Sequence, residues 1–88
     1  MKADKNTVTR LLKTARGQID GIIKMVEEDR YCPEISHQVS AAEAVLKKVN
    51  QEIIRAHLAC CVREAFLSGD EKETEEKIEE FIKIIKKL

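Results

Sequence analysis

The chain is predicted to be all-α, with three helices in a single domain spanning residues 1–88. Two observations predict this. Apolar residues recur at helical spacing through long stretches, and only two short segments carry turn or breaker chemistry. No run shows the alternation of a half-buried strand.

Apolar residues at positions 8, 11, 12, 15, 19, 22, 23 and 26 define helix one, near residues 5–29. Asn6 or Asp4 is its cap, and its basic residues fall mainly on the opposite side of the wheel. The stretch Arg30–Pro33 breaks the pattern, and Pro33 suits the first position of a new helix with Cys32 at the cap. Helix two then covers 33–67. Its residues Ile35, Val39, Ala42, Leu46, Val49 and Ile53 recur at alternating steps of four and three, the seam of a helix that packs along its length. Ser68-Gly69-Asp70 ends it, with Gly69 suited to a left-handed cap. Asp70 followed by Glu73 resembles a capping box for helix three, at 71–87, whose apolar face is Ile78, Phe81, Ile82, Ile85 and Leu88.

Helix two should be roughly 50 Å long at about 1.5 Å per residue. Helix one and the short helix three shield only part of it. The remaining apolar surface calls for another subunit, so the sequence predicts an obligate helical oligomer.

Charged residues make up 36% of the chain, with 16 basic and 16 acidic side chains, but the balance is uneven. Residues 1–24 carry Lys2, Lys5, Arg10, Lys13, Arg16 and Lys24 against Asp4 and Asp20, whereas 70–88 are acidic on balance. A basic amino-terminal helix is compatible with binding a polyanion through one face. No signal-peptide core and no apolar run of membrane-spanning length occurs, so a cytoplasmic protein with no membrane partner is expected. Thiols stay reduced there. Three cysteines also fit a disulfide framework poorly and point to metal binding or redox sensing.

His57 and Cys61 lie four apart within helix two, so both project from one face about one turn from each other. Thiolate and imidazole at that separation can hold one metal ion. Cys32 lies roughly 37 Å away along a straight helix at about 1.5 Å per residue. One chain therefore cannot close a site on a continuous helix, whereas a second, antiparallel copy brings its Cys32 to the pair. The expected site lies between subunits. Two thiolates and an imidazole form a soft set suited to Cu(I), with Zn(II) as competitor.

Other candidates read more plainly. Cys60 is rotated about 100° around the helix from Cys61 and reads as a packed or partly exposed thiol. His37 reads as a surface histidine. Tyr31, beside Cys32, is either loop packing or a hydrogen-bond donor to a metal ligand. Lys47, Lys48, Arg55 and Arg63, with the helix-one cations, form a solvated face unless symmetry multiplies them into a broad surface. No serine–histidine–acid set, Gly-rich phosphate loop or compact helix-turn-helix is present, so no enzyme is expected.

The chain resembles the CsoR/RcnR/FrmR family of bacterial all-helical metal- and stress-responsive repressors from about Arg10 to Lys87. The resemblance rests on R-G-Q-I-D-G-I at 16–22, E-E-D-R-Y-C at 27–32, Q-V-S-A at 38–41, H-L-x-x-C at 57–61 and I-E-E-F-I at 78–82. Copper sensors of this family use a Cys, a His 25 residues later and a Cys four beyond, and Cys32, His57 and Cys61 match all three. Nickel/cobalt sensors add an amino-terminal histidine that this chain lacks. Formaldehyde sensors lack the second Cys, and persulfide sensors replace the His. Cys60 departs from the pattern as an extra thiol.

By that resemblance, Tyr31 and Glu80 match the pair linking the copper site to the rest of the protein, Glu80 after allowing a two-residue insertion near Asp70–Glu73. Lys48, Lys13 and Arg16 match basic DNA-contacting positions. Leu11 stands where copper sensors carry arginine, so that contact is either absent or carried by Arg10. The implied fold is an antiparallel four-helix-bundle homodimer paired into a homotetramer. The implied function is a Cu(I)-responsive repressor that releases operator double-stranded DNA on binding Cu(I) between subunits. Two alternatives stand beside it: a per- or polysulfide-responsive repressor of the same fold using Cys32 and Cys61, and a copper or zinc storage or chaperone module without DNA binding.

Overall fold

A computed structural model describes residues 1–87, with side chains through Lys86, and forms α1 (Lys5–Glu27), α2 (Cys32–Ser68) and α3 (Glu71–Lys87). No strand occurs among the described residues, in agreement with the all-α expectation. Leu88, assigned from sequence to the apolar face of the third helix, lies outside the described residues.

Asp4, rather than Asn6, caps α1: the Thr7 backbone N–H donates to Asp4 Oδ2 at 3.2 Å, and the Thr7 hydroxyl donates to the same oxygen. These bonds, the hydroxyl's foremost, hold the Asp4 carboxyl below its usual pKa of 3.8. The cap is therefore fully formed at neutral pH and is lost as pH falls through the lowered value. At the other end, α1 stops at Glu27 instead of continuing to 29 because Asp29 turns into the left-handed region, with φ 54°. Arg30 N–H then donates to Met25 O at 3.0 Å and Asp29 N–H to Val26 O at 3.1 Å. This pair of bonds is a Schellman closure, made here without the usual glycine.

The start of α2 shifts by one residue from the sequence expectation. Cys32 is its first helical residue rather than its cap, and the Tyr31 carbonyl accepts from Ile35 N–H at 3.2 Å. Pro33 then falls in the first turn, where a backbone N–H would have no helical partner in any case. At the far end Gly69 adopts φ 69°, as its sequence context required. Asp70 caps α3, accepting from Lys72 N–H at 3.0 Å and Glu73 N–H at 3.4 Å. The return half of the box differs: Asp70 N–H donates to Ser68 Oγ at 3.3 Å, so the serine takes the place expected for Glu73.

The chain divides into two compact units, Asp4–Asn50 and Gln51 onward with Met1–Ala3. In the first, α1 and the leading half of α2 form a helical hairpin across the short link after Glu27. Its buried side chains are Val8, Leu11, Ala15, Ala42 and Val49. In the second, the trailing half of α2 and α3 form a hairpin across Gly69–Asp70. Ala65 is buried there, and Thr74 Oγ1 donates to its carbonyl at 3.5 Å.

Among the described residues, neither unit buries a large side chain fully. Leu12, Ile19, Ile23, Val26, Val39 and Leu46 in the first, and Ile78, Ile82 and Ile85 in the second, remain 38–55% exposed. Phe66 and Leu67, at the end of α2, reach 76% and 82%.

Asp29→Gly should stabilise the protein modestly, because it removes a left-handed penalty of about 1–2 kcal/mol, offset in part by about 0.5–1 kcal/mol of glycine backbone entropy, while keeping both closing hydrogen bonds. Thermal unfolding followed by circular dichroism checks this, and a lower midpoint would mean that the Asp29 side chain itself holds the link.

Candidate metal centre and nucleic-acid interface

Consecutive turns of α2 place His57 and Cys61 side by side, with Cys61 Sγ 3.4 Å from His57 Nε2 and 3.9 Å from Nδ1. The hairpin across Gly69–Asp70 lays α3 alongside this stretch, and Glu80 Oε1 comes within 3.4 Å of His57 Nε2. Lys77 Nζ, one turn earlier on α3, lies 3.6 Å from the other Glu80 oxygen. His57 and Glu80 are both nearly half exposed, at 43% and 46% of their side chains, so the group is open on one side.

The geometry sets a choice for the imidazole. Nε2 faces both the thiol and the carboxylate, yet a neutral ring offers one N–H and one lone pair. If Nε2 carries the proton and donates to Glu80, Nδ1 presents its lone pair on the side of Cys61. A soft cation with bonds of about 2.3 Å to sulfur and about 2.0 Å to nitrogen needs those donors roughly 3.6–3.8 Å apart. With Nδ1 as the donor, the observed separation of 3.9 Å from Cys61 Sγ lies slightly beyond that range. A small rotation of either side chain closes the pair on a metal ion, with a carboxylate placed to fix the ring's tautomer.

Cys32 and Tyr31 belong to the first unit and are exposed, Tyr31 at 71%. Among the described residues, no three His, Cys, Asp or Glu side chains of one chain gather into a group that could hold a metal. The structure thus unites His57, Cys61 and Glu80, and leaves one chain's centre with two strong donors. Cys60 is turned aside, its thiol donating to Glu64 Oε1 at 3.5 Å. His37 is exposed, in a shallow groove with Met25, Tyr31 and Pro33. Lys77 is a member of the group that sequence reasoning does not single out. Its three-residue offset from Glu80 is the available signal, one shared by many lysine–glutamate pairs on exposed helices.

Arg10, Lys13, Arg16 and Lys48 are all exposed, and none takes part in a salt bridge among the described residues. Arg10 and Lys13 line a shallow polar depression with Asn6, Thr9 and Thr14. Leu11 is buried, at 7% exposure, so it is a core residue and offers nothing to a polyanion. The cations left free on this unit are the groups a phosphate backbone would use.

A fold of three helices, a thiol–imidazole pair backed by a carboxylate, and free cations on a separate unit are the parts of a metal-responsive DNA-binding regulator. The family model for metal-sensitive transcriptional repressors matches residues 4–87, and the chain belongs to that family. Its members are regulators rather than enzymes, and as repressors they act on DNA. Among curated relatives, the copper-sensing transcriptional repressor CsoR of Bacillus subtilis (strain 168) is 40% identical over 85 residues, covering 97% of this chain and 81% of its own. The protein of the same name from Mycobacterium tuberculosis (strain ATCC 25618 / H37Rv) is 36% identical over 86 residues, covering 98% of this chain and 70% of its own. Among solved structures, the copper-sensing repressor CsoR with Cu(I) from Geobacillus thermodenitrificans NG80-2 superposes with a TM-score of 0.81 at 32% identity, over 99% of this chain and 91% of that one. The nickel-responsive transcriptional regulator InrS superposes with a TM-score of 0.83 at 26% identity, over 99% and 94%. Family membership sets aside the storage or chaperone reading.

Proposed function

We propose that the protein is a cytoplasmic Cu(I)-responsive repressor that binds operator double-stranded DNA as a tetramer of antiparallel dimers and releases it on binding Cu(I). One observation carries the reading: His57 Nδ1 and Cys61 Sγ stand 3.9 Å apart, close to metal-ligand separation, with Glu80 against the other ring nitrogen. Cys32, exposed at the start of α2, would supply the matching third donor. Curated relatives sharing 36–40% identity over nearly the whole chain are copper-sensing repressors, which favours copper over the sulfur-responsive alternative. No helix among the described residues is long and apolar enough to cross a membrane.

Cys32 of one subunit and His57 and Cys61 of its partner would hold Cu(I), whose softness matches two thiolates and an imidazole. Bound there, it supplies a cross-link between the start of one α2 and the later turns of another. Glu80 fixes the imidazole from the α3 side, so a change in the ring's position is felt by both helices of that hairpin. Tyr31, adjoining Cys32, would extend the same network across the interface. Arg10, Lys13, Arg16 and Lys48 neutralise phosphates in the apo protein, and cross-linked subunits present them with poorer complementarity to the duplex.

Assembly is the first test. Sedimentation at micromolar concentration should give a tetramer of the 10.0 kDa chain, because the apolar residues left exposed need a partner. A stable, folded monomer would remove the inter-subunit site.

The DNA face is tested by salt dependence. Lys48→Ala and Arg16→Ala should each weaken binding across sequences. Each should also flatten the log-affinity slope by about 0.9 for every phosphate no longer neutralised, multiplied by the number of engaged subunits. An unchanged slope in both variants places the DNA face elsewhere.

His57→Ala separates metal binding from signalling. Two thiolates remain and hold Cu(I), while the path from ring to Glu80 is gone. Losing a coupling of about 1–3 kcal/mol, some 5–150-fold in DNA affinity, should leave a variant that binds copper yet stays on its operator. Cys32→Ala and Cys61→Ala should lose tight copper binding outright. Full copper-induced release by His57→Ala, together with equally full release of the wild type by persulfide, would replace the copper reading with the sulfur one.

A further inference from the structure

We infer that Cys60 faces Cys32 of a second copy, so that the inter-subunit pocket contains three thiols rather than two. The inference rests on the antiparallel pairing proposed above, and it starts from the seam of α2. Continued beyond Ile53 with the same alternating steps, the seam passes through Ala56, Cys60, Arg63 and Leu67. Continued backward from Ile35, it reaches Cys32. Cys32 and Cys60 therefore lie on one stripe of one helix, whereas Cys61 is rotated about 100° from it.

The two faces of the trailing half of α2 have different surroundings. Ile54 and Leu58 line a groove with Phe81 and Ile85 of α3, while Cys61 and His57 meet Glu80's side of the same hairpin. On the other face, Ala56, Ala59, Cys60, Arg63, Glu64 and Leu67 line a shallow groove that no α3 residue enters. Leu67 there is 82% exposed. Small side chains at Ala56, Ala59 and Cys60 leave room for a helix from another molecule to approach closely.

The occupant is a second copy of α2, because the seam is its own complement. In an antiparallel pair of identical helices centred on Leu46, facing residues have numbers summing to 91 or 92. Leu46 meets itself, Val39 meets Ile53, and the bulky Ile35 meets the small Ala56. Val39 and Leu46 are 38% and 43% exposed in the single chain, with Ile35 and Ile53 half-buried, whereas Ala42 and Val49 of the same seam are already buried within the first unit. The face left for a second copy is therefore the sevenfold series Cys32, Val39, Leu46, Ile53 and Cys60. One step further along, Cys32 meets Cys60. The pocket thus has the His57/Cys61 pair on one flank and Cys60 on the other, with Cys32 entering between them. A third thiol gives a soft cation an additional donor through which ligands can exchange.

The test uses metal-free protein, reduced and freed of reductant, treated with a short bis-alkylating thiol reagent (dibromobimane) and run on a denaturing gel. Cys61→Ala, which retains Cys32 and Cys60, should yield covalent dimer, and the band should be lost in Cys32→Ala. Circular dichroism verifies that each variant is folded, and Cys61→Ser substitutes for Cys61→Ala if the latter is not. If Cys60→Ala forms covalent dimer while Cys61→Ala does not, the antiparallel pairing stands and the placement of Cys60 is overturned. If neither variant forms dimer, the pairing itself falls along with this inference. Dimer persisting in Cys32→Ala would also overturn it, since the link would then join the later cysteines of two copies.

Discussion

The constraint on which the rest of this structure depends is the length of α2 relative to what can cover it. Among the described residues, a helix of 37 residues receives one flanking helix on each half. The consequence is visible in the burial pattern: alanines and valines predominate among the buried residues, while leucines, isoleucines and phenylalanine stay largely accessible. Apolar burial contributes about 25 cal/mol per Å², so large side chains left half in water are stabilisation not yet realised. The exposed apolar side chains are what the proposed association would cover.

The same constraint places the chemistry. On a continuous helix, Cys32 and His57 cannot meet within one chain, and the donors that do meet, His57 and Cys61, number two. A site divided between subunits as proposed would do more than bind. It would make occupancy depend on how two copies are arranged, which is the property a regulator needs, because a ligand shifts an equilibrium only through its different affinities for the two states. Glu80 adds the second element. Against the same ring nitrogen that faces Cys61, it forces the imidazole to choose a partner, and so ties α3 to the state of the centre.

Much of this is legible in sequence because helical periodicity and capping are local. The seam from Ile35 to Ile53 and the Gly69 turn follow from spacing and backbone conformation alone, and the structure keeps both. The departures are also local, and each has an identifiable cause. Asp29 adopts a left-handed conformation, which aspartate tolerates better than most residues but which helical periodicity does not reveal, so periodicity alone carries helix one two residues too far. Ser68 takes the role expected of Glu73 because its hydroxyl, already bound to the Ala65 carbonyl, lies where the Asp70 N–H emerges. Glu80 comes from family resemblance rather than from spacing, since pairing between α2 and α3 is a tertiary fact. Lys77 escapes a sequence reading for the same reason.

Linkage carries the proposed mechanism one step further. If copper lowers operator affinity by some factor, operator DNA lowers copper affinity by the same factor. Repressor on its operator therefore responds at higher copper than repressor free in solution. The free pool fills first, and DNA-bound protein gives way only as that pool saturates. Association enters the same balance, because a site completed by two chains is also weakened by whatever separates them. The acidic and basic ends of the chain then have distinct places in it. The basic residues of α1 and Lys48 lie in the unit that would meet phosphate, whereas acidic α3 lies in the unit that holds His57 and Cys61. With the cations on one unit and a carboxylate beside the imidazole on the other, one short chain would address two charged ligands of opposite sign. Neither ligand needs to touch the other for the coupling to exist: both need only prefer different arrangements of the same long helix pair.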